Sequence, residues 1–267
     1  MSLAPDRLDR FARHIVLPEL GGAGQVALTK AHVMLIGCGG IGSPALQYLA
    51  AAGIGRLTLI DNDVVEASNL QRQTIFTEAD IGRPKAEAAA DWVARFDPKV
   101  EARAAIVRVG GDNTARVLGG DATLVLDGCD NFATRLAVSD ACVALGIPLT
   151  SAAVGRFQGQ VGNFAGHLQG QPCYRCWVGD AFDAEDCDTC ASDGVLGAMV
   201  GMVGAFAAMS AIRIILQGHA ALGDPQWGML QLFDGFAPSL RTIRVPKDET
   251  CRGCNPSVAG AIDQTAR

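Results

Sequence analysis

The 267-residue chain has no surplus of positive charge: 22 lysines and arginines face 28 aspartates and glutamates, a net charge of −6. That excludes nucleic acid as the main partner, because a phosphate backbone needs a basic face. Local cations are still numerous enough to hold a small phosphate ligand. The N-terminus has no apolar signal segment, since Met-Ser-Leu-Ala-Pro-Asp-Arg gives way to more charge. This predicts a cytoplasmic protein with reduced thiols. Internal repeats are absent. One stretch could mislead: Gly194 to Ile212 carries no charge over 19 residues and places Gly197 and Gly201 at GxxxG spacing. By length it could span a membrane. It is rich in Gly and Ala, however, and has no aromatic belt and no basic flank before it. A buried helix of a soluble protein is the expectation.

Apolar residues are plentiful. At 49% hydrophobic and 19% charged, the chain has ample material for a core, which excludes intrinsic disorder. The length fits one large domain. Cysteine is also common, at nine residues: Cys38, Cys129, Cys142, Cys173, Cys176, Cys187, Cys190, Cys251 and Cys254. Six of the nine fall in CxxC pairs, which points to metal or redox chemistry rather than a disulfide framework.

Along the chain, Arg7–Leu17 reads as helical and Gly21–Gly24 as a turn. His32–Ile36 is a strand, followed by Gly37-Cys38-Gly39-Gly40-Ile41-Gly42. Ser43 suits an N-cap and Pro44 a first helical position, and Gly53 and Gly55 end that helix. Leu57–Ile60 is a second strand. The alternation continues with a helix at Lys85–Arg95, strands at Glu101–Val107 and Ala122–Leu126, a helix at Ala133–Leu145 and a strand at Pro148–Ser151. Strands at Gln160–Phe164, Leu230–Phe233 and Leu240–Val245 flank a long helix, Leu196–Leu216. The pattern predicts an α/β fold: a Rossmann-like, doubly wound, mostly parallel sheet with a C-terminal β-rich, zinc-clipped extension.

Gly37, Gly39 and Gly42 satisfy GxGxxG: one glycine for the tight turn, one for close approach of phosphate, one for helix–strand packing. Asp61, at the end of the second strand, is placed for ribose hydroxyls. Cys38 reads as a small packed side chain. An NAD site needs no extra cations, whereas a triphosphate that must lose pyrophosphate does. Arg72 and Lys85 supply candidate charges, and Asp130, just past another parallel strand, is placed to hold Mg²⁺ through oxygen. Taken singly, Arg72 or Lys85 is more simply a solvated surface cation. An NAD-linked oxidoreductase and a non-catalytic nucleotide-binding scaffold are the competing readings.

Several motifs in order carry a resemblance to a known family. They are Arg10-Phe11-Ala12-Arg13-His14-Ile15-Val16-Leu17, the glycine loop, Asp61 through Gln73, Gly82 to Lys85, Asp127 to Arg135, Cys173-Tyr174-Arg175-Cys176, Cys190 through Gly197, and Cys251-Arg252-Gly253-Cys254. Over roughly residues 7–254 the chain resembles the ThiF/MoeB/HesA family, bacterial relatives of ubiquitin-activating enzymes. The resemblance implies ATP-dependent adenylylation of the C-terminal glycine of a ubiquitin-like sulfur-carrier protein ending in Gly-Gly, in thiamine or molybdopterin cofactor biosynthesis. Ala153-Val154-Gly155 and Phe233-Asp234-Gly235 lean toward the thiamine branch. Carried over by residue, Gly40 lies at the phosphate loop with Gly37, Gly39 and Gly42, and Asp61 takes the ribose. Asn69, Arg72 and Lys85 hold phosphates, Asp130 binds Mg²⁺, and Asp63 and Asn131 belong to the same site. Arg13 would act as an arginine finger in the partner's site of a homodimer. The implied organisation is one adenylation domain over 1–267: an N-terminal helical arm (1–31), a nucleotide-binding half (32–151), a carrier-binding and zinc half (152–254) and a frayed tail (255–267).

The CxxC pairs Cys173/Cys176 and Cys251/Cys254 each offer two corners of a tetrahedron, and together they make a closed structural Zn²⁺ site. The family carries a four-cysteine site at these positions. Redox cysteines or an empty site are the alternatives. Cys190 matches the cysteine that carries a thioester or persulfide link in some family members, and Cys187 is an addition to that pattern. Asp180, Asp183, Glu185, Asp186, Asp188 and Asp193 surround them without a Lys or Arg. Such acids raise a thiol's pKa and disfavour the nucleophilic thiolate.

Overall fold

A computed structural model describes residues 3–179 and 194–255. The elements are α1 (Pro5–Arg10), α2 (Ala12–Ile15), α3 (Gly21–Lys30), β1 (His32–Ile36), α4 (Gly42–Ala52), β2 (Arg56–Ile60), α5 (Lys85–Phe96), β3 (Glu101–Ala105), α6 (Thr114–Leu118), β4 (Leu124–Asp127) and α7 (Phe132–Leu145). There follow β5 (Leu149–Gly155), β6 (Gln158–Phe164), α8 (Tyr174–Val178), α9 (Gly197–Ile215), β7 (Met229–Asp234) and β8 (Ser239–Arg244).

The strands form one eight-stranded sheet in the order β3-β2-β1-β4-β5-β6-β7-β8. Pairs from β3 through β5 are parallel, and β6 to β8 add an antiparallel half. The central strands are apolar on both faces, as a sheet covered on both sides requires. Val33 and Leu35 of β1 face a core shared with α4, α5 and α9, whereas Met34 and Ile36 face a second core shared with α7. Strand order reverses between β1 and β4, which opens a crevice beyond their carboxyl ends.

α9 is the apolar segment flagged by the sequence and, among the described residues, the one helix long and apolar enough to cross a membrane. Val200, Val203, Ala207, Ala211 and Ile214 repeat at helical spacing and are buried, and the helix packs on α4, β5 and β6. It is a core helix.

Three local expectations are corrected. The Gly21–Gly24 stretch is the first turn of helix α3, not a connecting turn. A Cβ at Gly24 would sit 3.2 Å from both Leu20 and Leu216, so glycine serves close packing, and tertiary contact overrides weak helix propensity. The Arg7–Leu17 helix is broken at Phe11, which caps both short helices and turns its ring inward. Ser43 lies inside α4 rather than at its cap; the helix starts at Gly42 and no side chain caps it.

The glycine loop behaves as its pattern requires. Gly37 adopts φ +83°, and a Cβ on Gly42 would stand 2.0 Å from the Gly37 carbonyl oxygen. Gly42→Ala is therefore expected to push the helix off the loop, costing about 1–3 kcal/mol by overpacking. The checks are a lowered thermal midpoint and weakened ATP binding.

Candidate active site

The loops after β1, β2 and β4 converge at the strand-order reversal. Gly37 lies against the β4 loop, where a Cβ would come within 3.2 Å of Gly128 and of the Cys129 nitrogen. Asp61 braces the glycine loop: it accepts from the Cys38 N–H at 2.7 Å and from the Asp63 N–H at 2.8 Å. Burial pushes its carboxyl up, and these two donors pull it partly back. Cys38 is fully buried, and burial pushes its thiol well up, as it does for Cys129. Neither is a nucleophile in this setting.

Two cations lie close by, and Lys85 acts electrostatically on both Cys38 and Asp61. The Arg72 side chain lies 3.8 Å from where a Gly40 Cβ would be, and its guanidinium donates to the Ser68 carbonyl at 3.0 Å. Lys85 is buried at the start of α5, and its ammonium pairs with exposed Asp63 at 3.0 Å. Asn69 is buried and accepts from the Glu66 N–H at 3.2 Å, closing the short turn that presents Arg72. Beside them is a group the sequence reading missed: Gln73 is buried, its amide lies against Gly39, and its Oε1 has no hydrogen-bond partner. A buried unpaired acceptor is costly, and a polar ligand in the glycine cradle would relieve it. The open α4 terminus, the side-chain-free cradle and the two cations fit a phosphorylated nucleotide.

β4 ends at Asp127, three residues before Asp130. Asp127 is fully buried, accepts from the Cys129 N–H at 3.0 Å, and lies 3.7 Å from Arg135. Arg135 also donates to the Ala152 carbonyl at 2.8 Å and to the Cys129 carbonyl. This buried pair fixes the loop on which Asp130 stands exposed. A lone exposed carboxylate at this point suits Mg²⁺. Asn131 caps α7, accepting from the Thr134 N–H at 2.9 Å. That capping role was not foreseen. Arg13 is far from this crevice. Its neighbour Phe11 packs on Gly53, at the end of α4 opposite the glycine loop. α4 has 11 residues, which separates them by about 16 Å at the helical rise.

The two outer CxxC pairs do come together. The Sγ atoms of Cys173, Cys176, Cys251 and Cys254 lie within 4.8 Å of one another, with Cys173–Cys251 at 3.6 Å and Cys176–Cys254 at 3.5 Å. A hydrogen bond to Cys176 and burial push the Cys173 thiol up; the same hydrogen bond holds Cys176 down at about 5. Four sulfurs, with no further ligand grouped with them among the described residues, fit a closed tetrahedral Zn²⁺ site. Cys187 and Cys190 lie outside the described residues, as do 256–267 of the tail.

The sequence profile of the ThiF family matches residues 11–253. The chain belongs to the ThiF family. It is 38% identical to the SAMP-activating enzyme E1 of Haloferax volcanii, over 98% of this chain and 94% of that protein. It is also 38% identical to the sulfur carrier protein adenylyltransferase of Thermus thermophilus, over 100% of this chain and 98% of that one. Identity is 42% to the adenylyltransferase and sulfurtransferase MOCS3 of Mus musculus, over 99% of this ThiF-family chain but only 57% of the mouse protein. Among solved structures, E. coli MccB with MccA-N7isoASN superposes with a TM-score of 0.80 at 20% identity, covering 93% of this chain and 74% of that one. At that identity the likeness concerns the fold.

Proposed function

We propose that this ThiF-family protein is an adenylyltransferase that activates the C-terminal glycine of a ubiquitin-like sulfur-carrier protein with ATP. The carrying observation is the pair of cations at the point where strand order reverses: Arg72 beside the glycine loop, and Lys85 paired with Asp63 next to the Asp61 that braces that loop. The names of the full-length relatives agree with it.

In this reading the carrier's carboxylate, already ionised at neutral pH, forms a bond to the α-phosphorus of ATP as the bond to pyrophosphate breaks. No general base is required. Asp61 takes the ribose, and the loop N–H groups, Asn69, Arg72 and Lys85 hold the phosphates and the charge that grows on the leaving group. Asp63 keeps Lys85 in place until phosphate arrives. Asp130 would hold Mg²⁺, which would supply charge neutralisation on the phosphates. Zn²⁺ is structural. Reduced thiols at its site fit a cytoplasmic setting. The test is exchange of labelled pyrophosphate into ATP, with ThiS-like and MoaD-like carriers added singly. Exchange with one of them identifies the thiamine or the molybdopterin branch; no carrier-dependent exchange with any overturns the reading.

The reading includes a homodimer in which Arg13 works in trans. Arg13 is exposed and makes no ion pair among the described residues, and its anchor lies at the wrong end of α4 to serve its own loop. Mixing Arg13→Ala chains with Lys85→Ala chains, each inactive alone, is expected to restore roughly a quarter of wild-type activity. That figure assumes random exchange, half heterodimers and one intact site in two. No recovery with heterodimers formed would mean that Arg13 serves its own chain.

A further inference from the structure

The arm that carries Arg13 is locked to its own chain by a clamp that nucleotide binding does not explain. α1 and α2 are six and four residues long, too short to persist by themselves. Within residues 3–19 only Phe11 is buried. Its ring fits against Gly53, where a Cβ would stand 2.3 Å from the ring tip. On the far side of Arg13, His14 is hydrogen-bonded to Gln25 at 3.0 Å, and Gln25 donates to the Ala52 carbonyl at 2.8 Å. Phe11 and His14 thus face inward, and Arg13 between them faces out.

The second fastening is electrostatic. Asp97, at the end of α5, is 1% exposed. It accepts Arg7 Nη1 on both carboxylate oxygens, at 2.9 and 2.7 Å, across 90 residues of sequence. Arg10 Nε reaches the same carboxylate at 3.2 Å, and its guanidinium also donates to the Phe96 carbonyl at 3.2 Å. Arg7 further stacks over the Phe11 ring at 4.6 Å. Two guanidiniums converging on one buried carboxylate hold α1 in a single orientation. Without the carboxylate they face each other uncompensated, and such a loss is expensive in a buried setting.

Resting on the reading that Arg13 completes the site of a second copy, we propose that Asp97, through Arg7 and Arg10, is the positioning residue that aims Arg13 at that site. Asp97 also accepts from the Lys99 N–H at 3.1 Å, shaping the turn into β3. An asparagine keeps that turn but accepts from only one guanidinium edge and carries no charge, so Asp97→Asn separates aiming from turn formation.

The experiment places Asp97→Asn on one chain or the other of the mixed dimer. On the Lys85→Ala chain, it shares a polypeptide with the working Arg13. On the Arg13→Ala chain, it sits on an arm that serves no intact site. Carrier-dependent pyrophosphate exchange is expected to fall roughly tenfold or more in the first placement, as a misaimed group does, and to match the parental mix in the second. Arg7→Gln on the Lys85→Ala chain is expected to reproduce the fall, and it decides the matter if Asp97→Asn does not fold. Equal loss in both placements would show a purely structural role, and no loss in either a dispensable one; each overturns the proposal. A parental mix that recovers nothing, with heterodimers present, overturns the trans reading itself and this inference with it.

Discussion

Asp130→Asn is expected to fold as the parent does and to lose carrier-dependent adenylation by about 10²-fold or more, the scale of removing one preorganised charge-stabilising element. Folding should be spared because Asp130 is exposed and bears none of the loop's internal bonds. The loop is held by Asp127, by the buried Arg135 and by the Asn131 cap on α7. Activity should suffer because pyrophosphate departs with a growing negative charge, and an amide oxygen binds a divalent cation far less well than a carboxylate does. The checks are an unchanged thermal midpoint, a collapse of labelled pyrophosphate exchange, and a rightward shift of the Mg²⁺ dependence of what remains. Nearly normal exchange at low Mg²⁺ would place the metal elsewhere.

Cys251→Ser is expected to lose its single zinc and, with it, on the order of 4 kcal/mol or more of stability, as removal of a structural metal does. The site ties Cys251 and Cys254, beyond the last strand β8, to Cys173 and Cys176 around α8. Without a cation, four sulfurs within 4.8 Å of one another cannot carry the negative charge that binding requires. At roughly 2–4 °C per kcal/mol for a chain of this size, the midpoint should fall by about 10 °C. Cys187→Ser should retain one zinc per chain and the parental midpoint. Metal analysis of the purified variants reads both outcomes, and zinc kept in Cys251→Ser but lost in Cys187→Ser would reverse the assignment.

The sequence was most legible where function depends on short-range geometry. Gly37, Gly39 and Gly42 sit within six positions of one another, and backbone sterics alone dictate what two of them do: positive φ at Gly37, the contact with the Gly37 carbonyl at Gly42. The alternation of apolar runs with amphipathic stretches was equally readable, because a parallel sheet covered on both faces needs it. Periodicity misled where packing outweighed propensity. Gly21 to Gly24 became the first turn of α3, where Gly24 packs closely on Leu20 and Leu216. Ser43 lost its cap role to the demands of the glycine loop.

By itself, then, the sequence determined the glycine loop, the order of the strands and of the longer helices between them, the acid after β2 and the four outer cysteines as one metal site. Tertiary structure alone decided what those pieces meet. It stacked Gly37 on the β4 loop, left Gln73 with an unpaired oxygen beside Gly39, and carried Arg13 to the far end of α4. The physical reason is that local backbone preferences act over a few residues, whereas contacts between residues distant in sequence exist only after the sheet and its two cores have formed. Arg7 and Asp97 are the plainest case. Nothing in the sequence reading singled out either, and only the packing of α1 against the end of α5 buries one and pairs it with the other.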